Sequence, residues 1–306
     1  MRFEPNEDQK AFLAVIEQLA EAKDAAWKTS PAWDRFDWSG EFDRAMEANG
    51  FFDAASEPTL GLTAAAAMTF RAAGLPIAVE CAASSMLRPR YAPALPRPLA
   101  VVEDSAKHAI RFLPVARSVI VIGAEDVRAA IIVPGAVQPC ESLFAYPMGV
   151  LDFSALDWNP VEAEPGAMRD LWRVALAAES AGVMKGGLDA VVEHVRQRQQ
   201  FGRPLGSFQT VQHRLAMAAA KIEAAYWLTL KAAQSLAPAD AATALGYVQE
   251  ASTKIVYDLH QFMGAMGLTL EHPLHRWTYR ARLLRSALGG ATANLQAVSE
   301  ARWRAA

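Results

Sequence analysis

A long alanine-rich helical pattern, broken by one glycine-proline turn, constrains the fold of this chain more than any other feature. From Pro165 onward the apolar periodicity predicts four helices, over residues 168–199, 208–237, 239–266 and roughly 275–304. Gly202, Pro204 and Gly206 lie in the first break and supply the turn. Because alanine side chains let helices approach closely, we expect an antiparallel four-helix bundle.

The first break, RQQFGRPLGSFQ at residues 198–209, holds more chemistry than a turn needs. Besides its breakers it carries two arginines, two phenylalanines and three glutamines. Guanidinium groups beside turn amides suit a bound phosphate, and aromatic rings suit a flat ring system. The residues alone leave two readings open, a ligand site or a helix hairpin with an aromatic plug.

The first half of the chain divides into a helical part and a strand-rich part. Helices are predicted over residues 6–28, 41–49, 59–73 and 77–88, with Asn6 as a candidate N-cap. Short β-branched runs then predict a small antiparallel sheet or barrel, over residues 99–102, 110–114, 118–122 and 129–133. We therefore expect three domains: N-terminal helices (1–96), a short β-domain (97–164) and the bundle (165–306).

Composition and charge exclude several classes of protein. Apolar residues make up 52% of the chain and charged residues 21%, as in a folded soluble protein. The formal net charge of −3 gives no basic field for nucleic acid, and no apolar run is long enough to span a membrane. Cys81 and Cys140 lie far apart and outside any metal-ligand spacing. We expect a cytoplasmic protein without a metal site.

Residues 198–225 carry a resemblance to a known family. They read RQQFGRPLGSFQTVQHRLAMAAAKIEAA, which resembles the acyl-CoA dehydrogenase motif R-x-x-F-G…FQ and the helix after it. Helices, a small β-domain and a helical bundle are also the order expected of that family. The resemblance implies FAD as cofactor and an acyl-CoA thioester as substrate, which loses a proton from its α-carbon and a hydride from its β-carbon.

The resemblance also implies where FAD binds, in two halves that come from different subunits in the family. In the first half, Arg198 pairs with the pyrophosphate, and the adenosine or flavin is lined by Gln200, Phe201, Phe208 and His213.

The second half of the cradle, Q-x-x-G-G-x-G in the family, reads QFMGAMG over residues 261–267. Gln261 and Gly264 match it, but Ala265 replaces a glycine that lets the backbone approach a phosphate. The second half is therefore eroded.

The catalytic base of the family is missing from both of its usual positions. Leu288 stands at the position after the last turn of the bundle, and Trp172 stands at the alternative position on the first bundle helix. Glu179 is a remaining candidate, since it lies in an apolar helical segment and would be desolvated there. It serves equally well as a structural acceptor for a neighbouring arginine, which we favour.

These departures predict a protein that acts with a partner. The chain resembles the base-lacking subunit of the heteromeric α2β2 dehydrogenases of bacterial steroid side-chain degradation. By this resemblance it is itself non-catalytic and completes the FAD site of a paralogous subunit. Two alternatives remain: a homo-oligomeric dehydrogenase that uses Glu179 or another base, and an interaction module that binds no FAD.

Overall fold

The N-terminal part of the protein is a cluster of short helices beside one long helix. The computed structural model describes residues 5–29, 36, 38–103 and 108–303. Its first four helices are α1 (Glu7–Thr29), α2 (Gly40–Ala48), α3 (Gly61–Ala73) and α4 (Arg88–Tyr91). Asn6 caps α1 as predicted: its Oδ1 accepts from the Gln9 amide at 2.7 Å, and Gln9 Oε1 accepts from the Asn6 amide at 3.1 Å.

Seven short strands between residues 99 and 160 form two small sheets. They are β1 (Leu99–Glu103), β2 (Ile110–Arg111), β3 (Ser118–Ile122), β4 (Val127–Ile131), β5 (Val137–Cys140), β6 (Met148–Leu151) and β7 (Asn159–Pro160). The strand orders are β1-β3-β4-β7 and β2-β6-β5. Of the two forms predicted, the open sheet is therefore the observed one among the described strands, and no barrel closes there.

One strand pairing differs from the predicted antiparallel arrangement. β1 and β3 run parallel, with Leu99 opposite Ser118 and Glu103 opposite Ile122. Between them the chain crosses to the other sheet as β2 and returns through a 3-10 turn at Leu113–Val115, so it enters β3 in the direction of β1. The remaining pairings within these two sheets are antiparallel.

The C-terminal part is the predicted helical bundle. Its helices are α5 (Pro165–Gln197), α6 (Gln209–Ser235), α7 (Pro238–Met263), α8 (Leu274–Leu284) and α9 (Gly290–Trp303). The single helix expected from residue 275 to 304 is broken at a 3-10 turn, where Leu288, Gly289 and Gly290 have φ of 50°, 80° and 74°. Such left-handed geometry ends a helix, so α8 and α9 are separate.

Helix α5 lies at the centre of the molecule and packs closely on α3. A Cβ atom on Gly182 would lie 2.1 Å from the Phe70 carbonyl oxygen, and one on Gly186 would lie 2.2 Å from the Gly74 carbonyl oxygen. Both distances are too short for any side chain, so glycine is required where the two helices touch. The Trp277 indole of α8 donates to the same Gly74 carbonyl at 2.9 Å, which joins α8 to this contact.

The predicted order of helices, small sheets and bundle is confirmed, whereas the domain limits at residues 96 and 164 stay a prediction. Within the described ranges, no helix combines the length and apolar content needed to cross a membrane.

Candidate functional site

The 198–209 segment folds into a β-hairpin that projects from the end of α5. Two short strands, β8 (Gln199–Gln200) and β9 (Arg203–Pro204), pair antiparallel. Phe201 and Gly202 form the two-residue turn with φ of 54° and 77°. Tight hairpins prefer positive φ at both turn positions, which glycine adopts easily and phenylalanine does not. Phe201 is nonetheless 88% exposed. An apolar ring on a strained backbone therefore lies in solvent.

The side chains predicted to bind FAD lie along this exposed hairpin and the start of α6. Arg198, Gln200 and His213 are exposed, and Phe208 is half-buried. Phe201 meets Phe208 edge to face, with ring centroids 6.1 Å apart. The Arg203 guanidinium lies 4.1 Å from the centre of the Phe208 ring, and the hairpin therefore presents cations beside aromatic faces.

The second predicted half of the cradle lies where α7 ends. Gly264 has φ 64° and ψ −144°, a conformation open to glycine, and a Cβ atom there would meet nothing within 4 Å. Gln261, Gly264 and Ala265 are all exposed. The backbone at Gly264 is thus open to a ligand, while Ala265 carries a methyl group where the predicted motif has a glycine.

The two motifs lie at the same end of the bundle. The His194 ring, in the last turn of α5, lies 6.3 Å from the His272 ring, in the loop that precedes α8. Burial, with His194 and His275 nearby, lowers the pKa of His272 to about 4, and burial together with Arg198 lowers the pKa of His194. Both rings are therefore neutral at physiological pH, so the positive charge at this end of α5 comes from Arg196 and Arg198.

These residues fit a dinucleotide cofactor. A pyrophosphate needs cationic donors and unobstructed backbone, which Arg198 and Gly264 provide, and an adenine or flavin ring needs aromatic faces, which Phe201 and Phe208 provide. Within the described part of the chain, no ion pair of Arg198 is found that a phosphate would have to displace. Arg198 and the residues around it would hold the cofactor from the outside of the bundle.

Glu179 pairs with an arginine, and the choice between a structural acceptor and a base stays a prediction. It is buried on α5, where its Oε1 accepts from Arg111 Nη1 at 2.5 Å and from the Tyr146 hydroxyl at 2.7 Å. Burial and the adjacent carboxylate raise the pKa of Tyr146 well above its usual value. The phenol therefore stays protonated and donates a hydrogen bond to Glu179. Both bonds reach Oε1, while Oε2 is buried without a hydrogen-bond partner among the described residues; the side-chain exposures are 13% for Arg111 and 4% for Glu179.

Trp172 and Leu288, which the sequence analysis assigns to the base positions of the family, both donate to a carboxylate that the sequence reasoning did not consider. Glu103, at the end of β1, accepts from Trp172 Nε1 at 3.1 Å and from the Leu288 amide at 3.2 Å. Burial is the largest cause of its raised pKa. The residues VVED at the end of an apolar strand were the available signal, but only the tertiary structure shows what this strand end meets.

No metal centre accompanies these side chains in the described ranges. No group of three or more His, Cys, Asp or Glu side chains is placed there to hold an ion. The neighbouring His272 and His275 are engaged locally: His272 Nδ1 accepts from the Leu274 amide at 3.1 Å, and His275 Nδ1 lies 3.0 Å from the His272 carbonyl oxygen.

Comparison with known families shows which domain the bundle is similar to. Residues 170–301 match the acyl-CoA dehydrogenase C-terminal domain. Over these residues, which are less than half of the chain, the protein is similar to acyl-CoA dehydrogenases. The matched segment contains both predicted cofactor motifs, Leu288, Trp172 and Glu179, while Glu103 comes from the β-region that precedes it.

Two curated relatives of the dehydrogenase domain come from Mycobacterium tuberculosis. Acyl-CoA dehydrogenase FadE34 is 34% identical over 167 residues, which are 49% of this chain and 24% of FadE34. Acyl-CoA dehydrogenase IpdE2 is 36% identical over 123 residues, which are 40% of this chain and 38% of IpdE2. The matched region therefore spans well under half the length of either relative.

Solved structures extend the similarity of fold to almost the whole chain. The ChsE4-ChsE5 complex from Mycobacterium tuberculosis covers 98% of this chain and 98% of its own, at 19% identity and a TM-score of 0.75. A variant of the Tcur3481-Tcur3483 steroid acyl-CoA dehydrogenase covers 98% of both chains, at 21% identity and a TM-score of 0.73. The N-terminal helices and β-region thus share the acyl-CoA dehydrogenase fold.

Proposed function

We propose that the chain is a subunit of a FAD-dependent acyl-CoA dehydrogenase, and that its 198–209 hairpin completes the FAD site of an adjoining subunit. The observation that carries this proposal is the hairpin tip. A phenylalanine that is 88% exposed in a left-handed conformation costs free energy in the isolated chain. Such a cost is typical of a binding element, because the ring gains burial when a partner covers it.

The chemistry on the hairpin supports a cofactor at that contact. Arg198 supplies a charge-assisted donor for a pyrophosphate, and Phe201 and Phe208 supply faces for a ring. When bound, FAD would accept the hydride from the β-carbon of the acyl group. The task of this chain is to bind and orient that cofactor, and the open backbone at Gly264 on the same end of the bundle extends the contact.

The partner is expected to be a related subunit. Two of the most similar solved folds bear paired names, the ChsE4-ChsE5 complex and the Tcur3481-Tcur3483 steroid dehydrogenase. The sequence predicts a paralogue that carries the base, because Leu288 and Trp172 cannot take a proton; this assignment stays a prediction. Steroid side-chain thioesters of coenzyme A are the substrate class to test first.

Co-purification and the visible spectrum test the proposal. The chain is purified alone and after co-expression with an adjacent paralogue, and its flavin absorption is recorded. We expect no stoichiometric flavin in the chain alone and stoichiometric flavin in the complex. Flavin and acyl-CoA turnover in the chain alone would favour the homo-oligomeric enzyme, and absence of flavin from both preparations would favour an interaction module.

A comparison of two arginine variants tests the role of Arg198 in this site. Arg198→Ala should strip FAD from the complex, because loss of one partner of a desolvated charge pair costs about 2 to 5 kcal/mol. Arg196→Ala is the matched control, since Arg196 is exposed two residues earlier on the last turn of α5. Equal flavin content in both variants would show that Arg198 does not hold the cofactor.

A further inference from the structure

Glu103 stands where three parts of the protein meet. It ends β1, its Oε1 accepts from the Trp172 indole of α5, and its Oε2 accepts from the amide of Leu288 in the turn between α8 and α9. Trp172 and Leu288 occupy the two positions at which the family places its base. The Glu103 carboxylate therefore contacts both of the residues that stand at the predicted base positions.

The surroundings of Glu103 suit a proton acceptor better than a salt bridge. No described ion pair involves its carboxylate, and Arg111 and Arg169 are the cations that act on it from farther away. Arg111 is itself paired with Glu179, and Arg169 donates to the Gly123 carbonyl at 2.9 Å. The half-buried Glu103 carboxylate is oriented by two neutral donors, Trp172 and the Leu288 amide. Each of its oxygens still has a lone pair that can accept a proton.

The Leu288 turn is rigid, so the position of this carboxylate is well defined. Leu288 has φ 50° and is followed by two glycines of positive φ. Asn294 Nδ2 donates to the Gly290 carbonyl at 2.9 Å, and Gln249 Nε2 donates to the Ala287 carbonyl at 2.9 Å. Because Asn294 and Gln249 bind its carbonyl groups, the turn is fixed with the Leu288 amide directed at Glu103.

We propose that Glu103 is the proton acceptor of this chain and removes the α-proton of an acyl thioester that lies beside Trp172 and Leu288. The α C–H bond breaks, its proton passes to a Glu103 oxygen, and its electron pair delocalises into the thioester carbonyl. In D2O the reverse step returns a deuteron to the α-carbon. The inference rests on the proposed function, but it moves the base from the predicted paralogue to β1 of this chain.

The test measures α-deuterium incorporation into 3-thiaoctanoyl-CoA in D2O by mass spectrometry, with the complex that contains FAD. The wild type is expected to exchange the α-proton, and Glu103→Gln to lower the rate at least about 100-fold, the usual worth of a positioned base. Glu103→Asp keeps the carboxylate and should retain part of the rate. Glu125→Gln, a change of an exposed glutamate, is the matched control and should exchange like the wild type.

The pH profile separates a base from a structural tie. Exchange needs the ionised carboxylate, so the rate should rise with pH above the usual range of a glutamate, because burial raises the pKa of Glu103. Trp172→Phe removes a donor to the ionised form and should move this rise to higher pH. Loss of a merely structural contact would change the folded fraction without moving the profile.

The outcomes also separate this inference from the proposed function. Absence of a FAD-containing complex would contradict the proposed function, and that is decided by the flavin spectrum. If the complex forms but the wild type does not exchange, or Glu103→Gln exchanges at the wild-type rate, Glu103 is only a tie between β1 and the bundle. The base would then belong to the partner, as the sequence predicts.

Discussion

The Arg111 guanidinium and the Glu179 carboxylate, 2.5 Å apart, join the β-region to the centre of the bundle. Arg111 comes from β2 and Glu179 from the middle of α5. The guanidinium also lies 5.4 Å from the centre of the Trp172 ring, whose Nε1 donates to Glu103. Trp172 thus lies between two acids: Glu179 forms an ion pair with Arg111, and Glu103 is in no described ion pair.

Breaking this ion pair should destabilise the protein strongly. Arg111→Met leaves the buried Glu179 charge without its counter-ion, which typically costs about 3 to 5 kcal/mol. The double variant Arg111→Met, Glu179→Leu removes both charges and should cost less than Arg111→Met alone. Urea unfolding of the two variants checks this order, and a double variant less stable than the single one would contradict it.

Helix α5 should tolerate alanine at its start but not where it touches α3. In Gly186→Ala the new methyl would lie 2.2 Å from the Gly74 carbonyl oxygen and 2.3 Å from Trp277 Nε1, so the helices must separate. We expect a loss of about 3 kcal/mol or more, at the upper end of overpacking effects. Gly166→Ala is the control, because a Cβ atom there meets nothing within 4 Å.

Gly166→Ala should leave the free energy of unfolding unchanged or raise it by up to about 1 kcal/mol, since alanine restricts the unfolded chain. Thermal unfolding of the two variants side by side measures the difference. Equal midpoints would mean that α3 and α5 do not pack as closely as these distances require.

Phe201→Asn should separate stability from assembly. Asparagine adopts positive φ more readily than phenylalanine, so the isolated chain should gain a few tenths of a kcal/mol up to about 1 kcal/mol. The complex loses the burial of an aromatic ring, about 1.5 to 3 kcal/mol, and should bind its partner at least about tenfold more weakly. Calorimetry and a titration with the partner measure the two effects, and unchanged affinity would remove Phe201 from the interface.

Acid should weaken the fold partly through His272. The pKa of His272 in the folded protein is about 4, below the value of about 6.5 in an unfolded chain. Below about pH 6.5 His272 becomes protonated in the unfolded chain, whereas in the folded protein it stays neutral down to about pH 4. Stability is therefore lost as the pH falls through this window, by about 1 to 2 kcal/mol after allowance for partial solvent screening.

His272→Asn keeps an acceptor for the Leu274 amide but does not titrate, so it should flatten this part of the pH dependence. Urea unfolding at pH 7 and pH 4.5 gives the comparison. The same loss in both proteins would assign the acid sensitivity to other groups.

Local sequence patterns predicted most of the helices and the capping of α1, because periodicity and capping depend on near neighbours; the helix expected over residues 77–88 instead lies over 83–91. The 275–304 helix was predicted without its break, since the left-handed turn at Leu288 is held by Glu103 and Asn294 from distant elements. The parallel pairing of β1 with β3 was missed for the same reason. Pairing depends on the path between strands, which periodicity does not record.

The sequence by itself determined the bundle and the cationic and aromatic residue types of the 198–209 segment, because each is a property of residue type along a continuous segment; the loss of the base at Leu288 and Trp172 stays a prediction. Only the tertiary structure shows which side chains each acid contacts. Glu179 has its partners from distant segments: Arg111 comes from β2 and Tyr146 from the bend before β6, each more than 30 residues away in the sequence. Glu103 meets Trp172 and Leu288 only because folding brings the end of β1 against the bundle.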